Sequence, residues 1–137
     1  MPQIYVLSIL ANIVAGLTLA GDTLGARMPF LASFKNLRER PGAVVAIGVA
    51  AALVGVLKLI VRSPGETVAV AGDLLPGLAG IALGAMLLAE KLVPAATESG
   101  QKIGNAAGKV LTYRVPAGVA GVLISLAHFL FPGALIL

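Results

Sequence analysis

Four stretches of this chain, Ile4–Ala20, Ala43–Val61, Val68–Ala89 and Val115–Leu135, stay apolar over the length that crosses a bilayer, about 20 residues with a range of about 17–25. In hydrocarbon every backbone N–H and C=O must find its partner within the protein. Runs of this kind therefore form helices in spite of their many Gly and Ala residues. Strands of a membrane barrel would alternate apolar and polar residues, and these runs do not. The composition points the same way: 58% of residues are hydrophobic and 12% charged, with a mean hydropathy of +1.00, where soluble domains carry about 25% charge. The expected fold is an all-α integral membrane protein of four transmembrane helices, a single transmembrane domain over 1–137. Met1-Pro2-Gln3 lacks Lys and Arg, and no small-x-small cleavage site follows the first run. That run is therefore expected to be a retained helix and not a cleaved signal.

The connections differ in length and charge. Arg62-Ser63-Pro64-Gly65-Glu66-Thr67 is a short Pro-Gly turn between the second and third runs, which makes those helices antiparallel neighbours. The other two connections are long and hold Arg27, Lys35, Arg38 and Arg40, then Lys91, Lys102, Lys109 and Arg114, which is most of the ten basic residues. The positive-inside rule puts both in the cytoplasm and both termini outside, for a multi-pass protein of the cell (inner) membrane. Pro29 and Pro94 suit the first turns of helices. After Pro29, Phe30, Phe34 and Leu37 share one face, with Lys35 and Arg38 away from it; after Pro94, Ile103, Ala107, Val110 and Leu111 share one. Each connection thus reads as an amphipathic interfacial segment touching anionic lipid headgroups. Gly100, Gly104 and Gly108 weaken the second one.

The two halves resemble each other. Leu10–Asp22 lines up with Leu78–Glu90 at a shift of 68 residues, and both segments end on a carboxylate. Val54–Leu57 resembles Ala120–Leu123, and Ser63-Pro64-Gly65 resembles Phe131-Pro132-Gly133. The expectation is two parallel pseudo-repeats, about 1–65 and about 69–137, each made of helix, basic interfacial segment and helix. Their pseudo-twofold axis would run along the membrane normal. In this register Asp73 has Tyr5 as its counterpart, and Lys58 has no charged counterpart.

Small residues recur every four positions: Asn12, Gly16 and Ala20; Gly80 and Gly84; Ala46 and Ala50; Ala117, Gly121 and Ser125. Such stripes let helix backbones approach closely in lipid. Gly16, Gly80, Gly84 and Gly121 are the expected packing positions, and stripes on all four helices suggest a homo-oligomer. Ionisable and amide groups inside membrane segments are costly and mark sites by default. Asn12, Lys58, Asp73 and His128 are the candidates for a solute or ion path opening outward. The bland alternatives are snorkelling for Lys58, a structural pair with Lys58 for Asp73, and interhelical hydrogen bonding for Asn12 and His128. Pro76 and Gly77 loosen the third helix beside Asp73. Asp22 and Glu90 form a second candidate set, carboxylates at the inner mouth, with pairing to Arg27 and Lys91 as the structural alternative.

The chain has no cysteine and one histidine, which excludes thiolate chemistry, disulfides and multi-histidine metal sites within one copy. No phosphate loop, nucleophile elbow, dinucleotide fingerprint or nucleic-acid motif is present. No cofactor, metal, catalytic residue or nucleic-acid partner is expected. The leading functional expectation is an oligomeric channel or transporter for a small solute or ion. A non-catalytic accessory or scaffold subunit of a larger membrane complex comes second. A lipid-modifying enzyme using Asp22 and Glu90 comes third, because general acid–base groups need tuning partners that the sequence does not supply there.

Overall fold

In the computed structural model the described residues are 2–61, 69–92 and 98–131, without the side chains of Pro2, residues 69–73, Leu92, residues 98–100 and Ile103. They form α1 (Pro2–Leu19), α2 (Gly21–Arg27), a 3-10 turn (Pro29–Leu31), α3 (Ala32–Arg38), α4 (Pro41–Ile60), α5 (Ala69–Leu92), α6 (Glu98–Leu111) and α7 (Arg114–Leu130). Among the described residues there is no strand. The Arg62–Thr67 turn, Pro94 and Pro132 lie outside them.

The apolar runs become α1, α4, α5 and α7, within a few residues of the expected ends. α4 and the Leu74–Lys91 part of α5 are each long and apolar enough to cross a membrane; α1 with α2 and α6 with α7 reach that length as pairs bent by 79° and 58°. The first long connection departs from expectation. It is two short helices split at Met28, whose extended backbone precedes Pro29, as the residue before a proline prefers. The described part of the second connection, from Glu98 on, is one amphipathic helix, α6, despite its glycines.

α1 and α5 form the middle of the bundle: α1 packs on α7, α4 and α5, and α5 packs on α4, α1 and α7. Two seams are set by glycine. A Cβ on Gly16 would lie 2.5 Å from the Gly118 carbonyl oxygen, and one on Gly84 2.5 Å from that of Gly48. Only glycine allows α1 to meet α7, and α5 to meet α4, this closely. Farther along the second seam, Gly55 meets the Gly77 carbonyl. Pairing 48 with 84 and 55 with 77 makes α4 and α5 antiparallel. Tyr5 with His128 and Gly16 with Gly118 do the same for α1 and α7. Gly80 faces the Asn12 amide and Gly121 faces the Leu83 side chain.

The centre is aliphatic: Ala15, Leu19, Val44, Ala51, Leu83, Met86 and Leu87 form one buried cluster. Outward faces are apolar too, with Leu7, Leu10, Leu53, Ile60, Leu78, Leu123 and Phe129 exposed. The buried polar residues include Ser8, Asn12, Thr18, Arg38, Lys58, Ser125 and His128. A soluble bundle would keep the aliphatic centre but carry polar residues on its outward faces. Exposed apolar faces around a polar-seamed interior suit a hydrocarbon solvent.

Candidate functional site

Two polar clusters sit at opposite ends of the bundle, with the aliphatic core between them. At one end Lys58 lies in the last turn of α4 and His128 in the last turn of α7, where helix carbonyls lack intrahelical donors and favour cationic or donor groups. Lys58 is only 5% exposed. Its Nζ is 3.2 Å from Ser8 Oγ, to which it donates, 3.3 Å from His128 Nε2, and 4.9 Å from the centre of the Tyr5 ring, a cation–π distance. Two nitrogens at hydrogen-bond distance require one donor and one acceptor. Which of the two donates follows the tautomer of the imidazole. Tyr5 donates its hydroxyl to the His128 carbonyl at 2.7 Å and its ring stands 5.1 Å from the imidazole. Ser8 in turn donates to the Tyr5 carbonyl.

Of the four residues expected to converge, Lys58 and His128 do. Asn12 belongs to the same face of α1, one turn deeper than Ser8, but does not touch the pair. Its Nδ2 donates to the Pro76 carbonyl at 2.8 Å, so it ties α1 to α5. The side chain of Asp73 lies outside the described residues; its backbone is in the first turns of α5. Tyr5 and Ser8 are not among the sequence candidates. Their signal is the Tyr5, Ser8, Asn12 spacing of three and four, which places all three on one helical face. Ser125 lies on the buried face of α7 between Gly121 and His128, and its hydroxyl has no partner among the described residues.

The Asn12 hydrogen bond carries a measurable expectation. Asn12→Ala leaves room around Gly80 and removes one interhelical bond, so unfolding in detergent should become easier by about 0.5–1.5 kcal/mol. Denaturant titration of the two proteins checks this.

At the other end, Asp22 and Glu90 meet across two arginines. Arg38, 6% exposed, donates from Nε to Asp22 at 3.0 Å, from Nη2 to Glu90, and from Nη1 to the Leu19 carbonyl at 3.1 Å. The Thr18 carbonyl lies 3.5 Å from the same nitrogen. These carbonyls belong to the last turn of α1, where the chain bends into α2 and intrahelical donors run out. Arg114 donates to Asp22 at 3.2 Å and stands 3.9 Å from Glu90. Lys91 lies 3.8 Å from Glu90.

Two expectations are corrected here. Arg38 does not lie on the polar outer face of its segment; among the described residues it is the most enclosed charge at this end. The break at Met28 turns α3 back against α2, where Gly21 lets the Phe34 backbone approach at close range, and this aims Arg38 inward. Asp22 pairs with Arg38 and Arg114 and not with Arg27, because the 79° bend after α1 carries it toward α7. The Glu90–Lys91 pairing stands. The carboxylates are thus neutralised by arginines that lie far away in sequence, and Glu90 Oε2 is buried without a partner among the described residues. Among those residues no group of His, Asp and Glu could hold a metal ion.

A protein family of unknown function is matched by residues 1–128. The chain belongs to that family. No curated protein and no solved structure matches it. The match runs from the start of α1 to His128, so it takes in both polar clusters.

Proposed function

We propose that this chain is a multi-pass protein of the cell membrane that, as a homo-oligomer, conducts or carries a small ion or solute through the Lys58–His128 end of the bundle. The observation that carries the reading is the Lys58–His128 contact. A lysine held at 5% exposure between helices of this apolarity is expensive to keep there unless it has a task. Ser8, the His128 imidazole and the Tyr5 ring hold it in one geometry. Asp73, on α5 at this end, joins the proposed path by position. Asn12 and Ser125 extend the polar face inward. Asp22 and Glu90 stand at the far mouth.

The proposed topology has four spans, with α1 and α7 about 26–27 Å long at 1.5 Å per residue, close to the hydrocarbon thickness. The basic end, with Arg27, Lys35, Arg40, Lys102 and Lys109 exposed, faces the cytoplasm by the positive-inside rule, and both termini lie outside. Exposed Met28, Phe30, Val110 and Tyr113 beside those charges support contact with anionic headgroups.

A parallel duplication is part of the reading. The shift of 68 that aligns Gly16 with Gly84 also aligns Asn12 with Gly80, and those two touch each other, as residues beside a twofold axis do. The Gly16–Gly118 seam then answers the Gly84–Gly48 seam, which relates Gly48 to Gly118 by 70 residues. On that register Lys58 corresponds to His128 and not to Ile124. The aliphatic core leaves a single bundle narrow, which supports several copies acting together.

The test is flux in vesicles of the purified protein, across protons, alkali cations, halides and small organic acids. At least one should move faster than in empty vesicles, and Lys58→Met and His128→Ala should each reduce that flux at least about tenfold, the effect of about 1.4 kcal/mol at a rate-determining step. Flux that both variants leave unchanged would sink the assignment of the path.

The accessory-subunit reading keeps one specific observation. Asn12, Thr18 and Arg38 all spend hydrogen bonds on backbone carbonyls, as structural groups do. Co-purification with other chains in mild detergent, together with absent flux, would favour it.

A further inference from the structure

The bundle is held differently along its length. Its aliphatic cluster runs from Ala15 on α1 and Ala51 on α4 toward the basic end, and Ala117 brings α7 onto it. The last turns of α4 and α7 lie beyond that cluster, at the opposite end. Both helices pack on α1 and on α5, and they reach each other through the Lys58 Nζ–His128 Nε2 contact at 3.3 Å. Each residue of that contact stands in the last turn of its helix.

The contact limits the number of protons it can hold. One nitrogen donates and the other accepts, in either tautomer of the imidazole. With a proton on both the amine and Nε2 no acceptor remains, and two cations face each other. This is true whatever else the two side chains touch. His128 is the one histidine of the chain, and histidine is the side chain that ordinarily gains its charge between about pH 8 and pH 5. From α1 the imidazole faces the Tyr5 ring, 5.1 Å away, and from α4 the Lys58 amine. The titratable residue of α5 at this end is Asp73, whose side chain lies outside the described residues, as do Arg62 and Glu66. Arg114, on α7 itself, stands at the opposite end of the helix.

A polar surface lies behind the pair. One turn inward from His128, Ser125 is fully buried, and its hydroxyl has no partner among the described residues. Such a hydroxyl is costly to bury and gains a hydrogen bond once water reaches it. The Tyr5–His128 and Gly16–Gly118 pairings set the register of α1 against α7, and that register puts Ser125 at the level of Ser8, itself 1% exposed. We propose that the Lys58–His128 pair is a proton-binding site that latches the outer ends of α4 and α7: protonation of His128 breaks the contact, the two ends part, and water reaches Ser8 and Ser125. The aliphatic cluster stays closed, so the basic end does not move. The proton is then the species that works this end of the bundle. The inference deepens the transport reading and rests on it for its purpose, but its test follows no flux, so the two can fail separately.

The chain has no cysteine of its own, so spin labels on introduced cysteines report cleanly. Leu57→Cys and Leu126→Cys, exposed positions beside the pair, carry labels on α4 and α7. Gly42→Cys and Tyr113→Cys, exposed at the basic end, form the control pair. Pulsed electron paramagnetic resonance measures both distances on the protein in vesicles, at the same pH on both sides and with no transported solute added. A one-proton equilibrium moves at most about tenfold per pH unit. The ratio of longer to shorter distances between the first two labels should rise at least about tenfold from about pH 8 to about pH 5, while the control pair stays unchanged. His128→Gln keeps an acceptor for Lys58 and does not titrate, so its distances should stay short at both pH values. Lys58→Met removes the contact and should give one distribution at both, and it serves if His128→Gln does not assemble. Identical distances at the two pH values in the parent, a lengthening that persists in either variant, or one shared by the control pair would overturn the latch.

Discussion

Arg38→Ala destabilises the bundle by about 3–5 kcal/mol, the range for removing one partner from a buried ion pair. Three separate losses add up there. Glu90, 16% exposed, and Asp22 lose their best-enclosed counter-charge. The carbonyls at the end of α1 lose the donor that replaces their missing intrahelical bonds. α3 loses its anchor to α1 and α5, and with it the α2–α3 fold-back. Lysine is a poor substitute, since one ammonium cannot span two carboxylates and a helix terminus as a guanidinium fork does. Arg38→Lys should recover less than half of the loss. Unfolding in detergent, followed by circular dichroism against denaturant, measures both variants. An Arg38→Ala protein within about 1 kcal/mol of the parent, the value typical of an exposed pair, would show that the buried arrangement contributes little.

Gly16→Val should disrupt the bundle comparably. A Cβ there meets the Gly118 carbonyl oxygen at 2.5 Å and the Val122 side chain at 2.9 Å. The first of these is backbone, so no rotamer change relieves it and α1 must move away from α7. Overpacking in a close-packed interior costs about 1–3 kcal/mol, occasionally more, and separating these helices also disturbs the Tyr5 bond to the His128 carbonyl at the far end of the same seam. Gly84→Val should behave alike, because it meets the Gly48 carbonyl at 2.5 Å. Gly42→Ala is the control, with open space around it, and should not destabilise. Thermal aggregation midpoints of the purified variants rank them. A Gly16→Val protein as stable as Gly42→Ala would mean that α1 and α7 are not in backbone contact.

The readable part of the fold is the part governed by solvent. Runs of apolar residues name α1, α4, α5 and α7 to within a few residues, because a hydrocarbon environment forces helix on any stretch long enough and greasy enough. Proline marks Pro29 as a helix start, because its ring fixes φ and its missing donor does no harm in a first turn. The candidate site is half legible. Lys58 and His128 stand out by the cost of burying such groups, and Asp22 and Glu90 by their matching positions.

Tyr5, Ser8, Arg38 and Arg114 do not stand out in the sequence, and the reason differs for each pair. Tyr5 and Ser8 carry no charge, so nothing about burial cost flags them; their role follows from facing α7 and α4. Arg38 and Arg114 sit among other basic residues at the same end, and periodicity along the first connection puts Arg38 on the outside. That inference misplaces it: Arg38 follows Phe34 by four residues and so lies one turn on along the same side of α3, which is the side turned inward. Asn12 shows the converse: its type is legible as interhelical glue, but its partner, a carbonyl beside Gly77, depends on how α1 and α5 cross.

The sequence by itself therefore determined which segments are helical, which end carries the positive charge, and which positions are small enough for contact, since each follows from a residue's own solvation or shape. Tertiary structure alone decided which small residues meet, that Gly16 seats on Gly118 and Gly84 on Gly48, and that two carboxylates 68 residues apart share two arginines. Those pairings arise from crossing angles and bends between helices, and no residue encodes them alone.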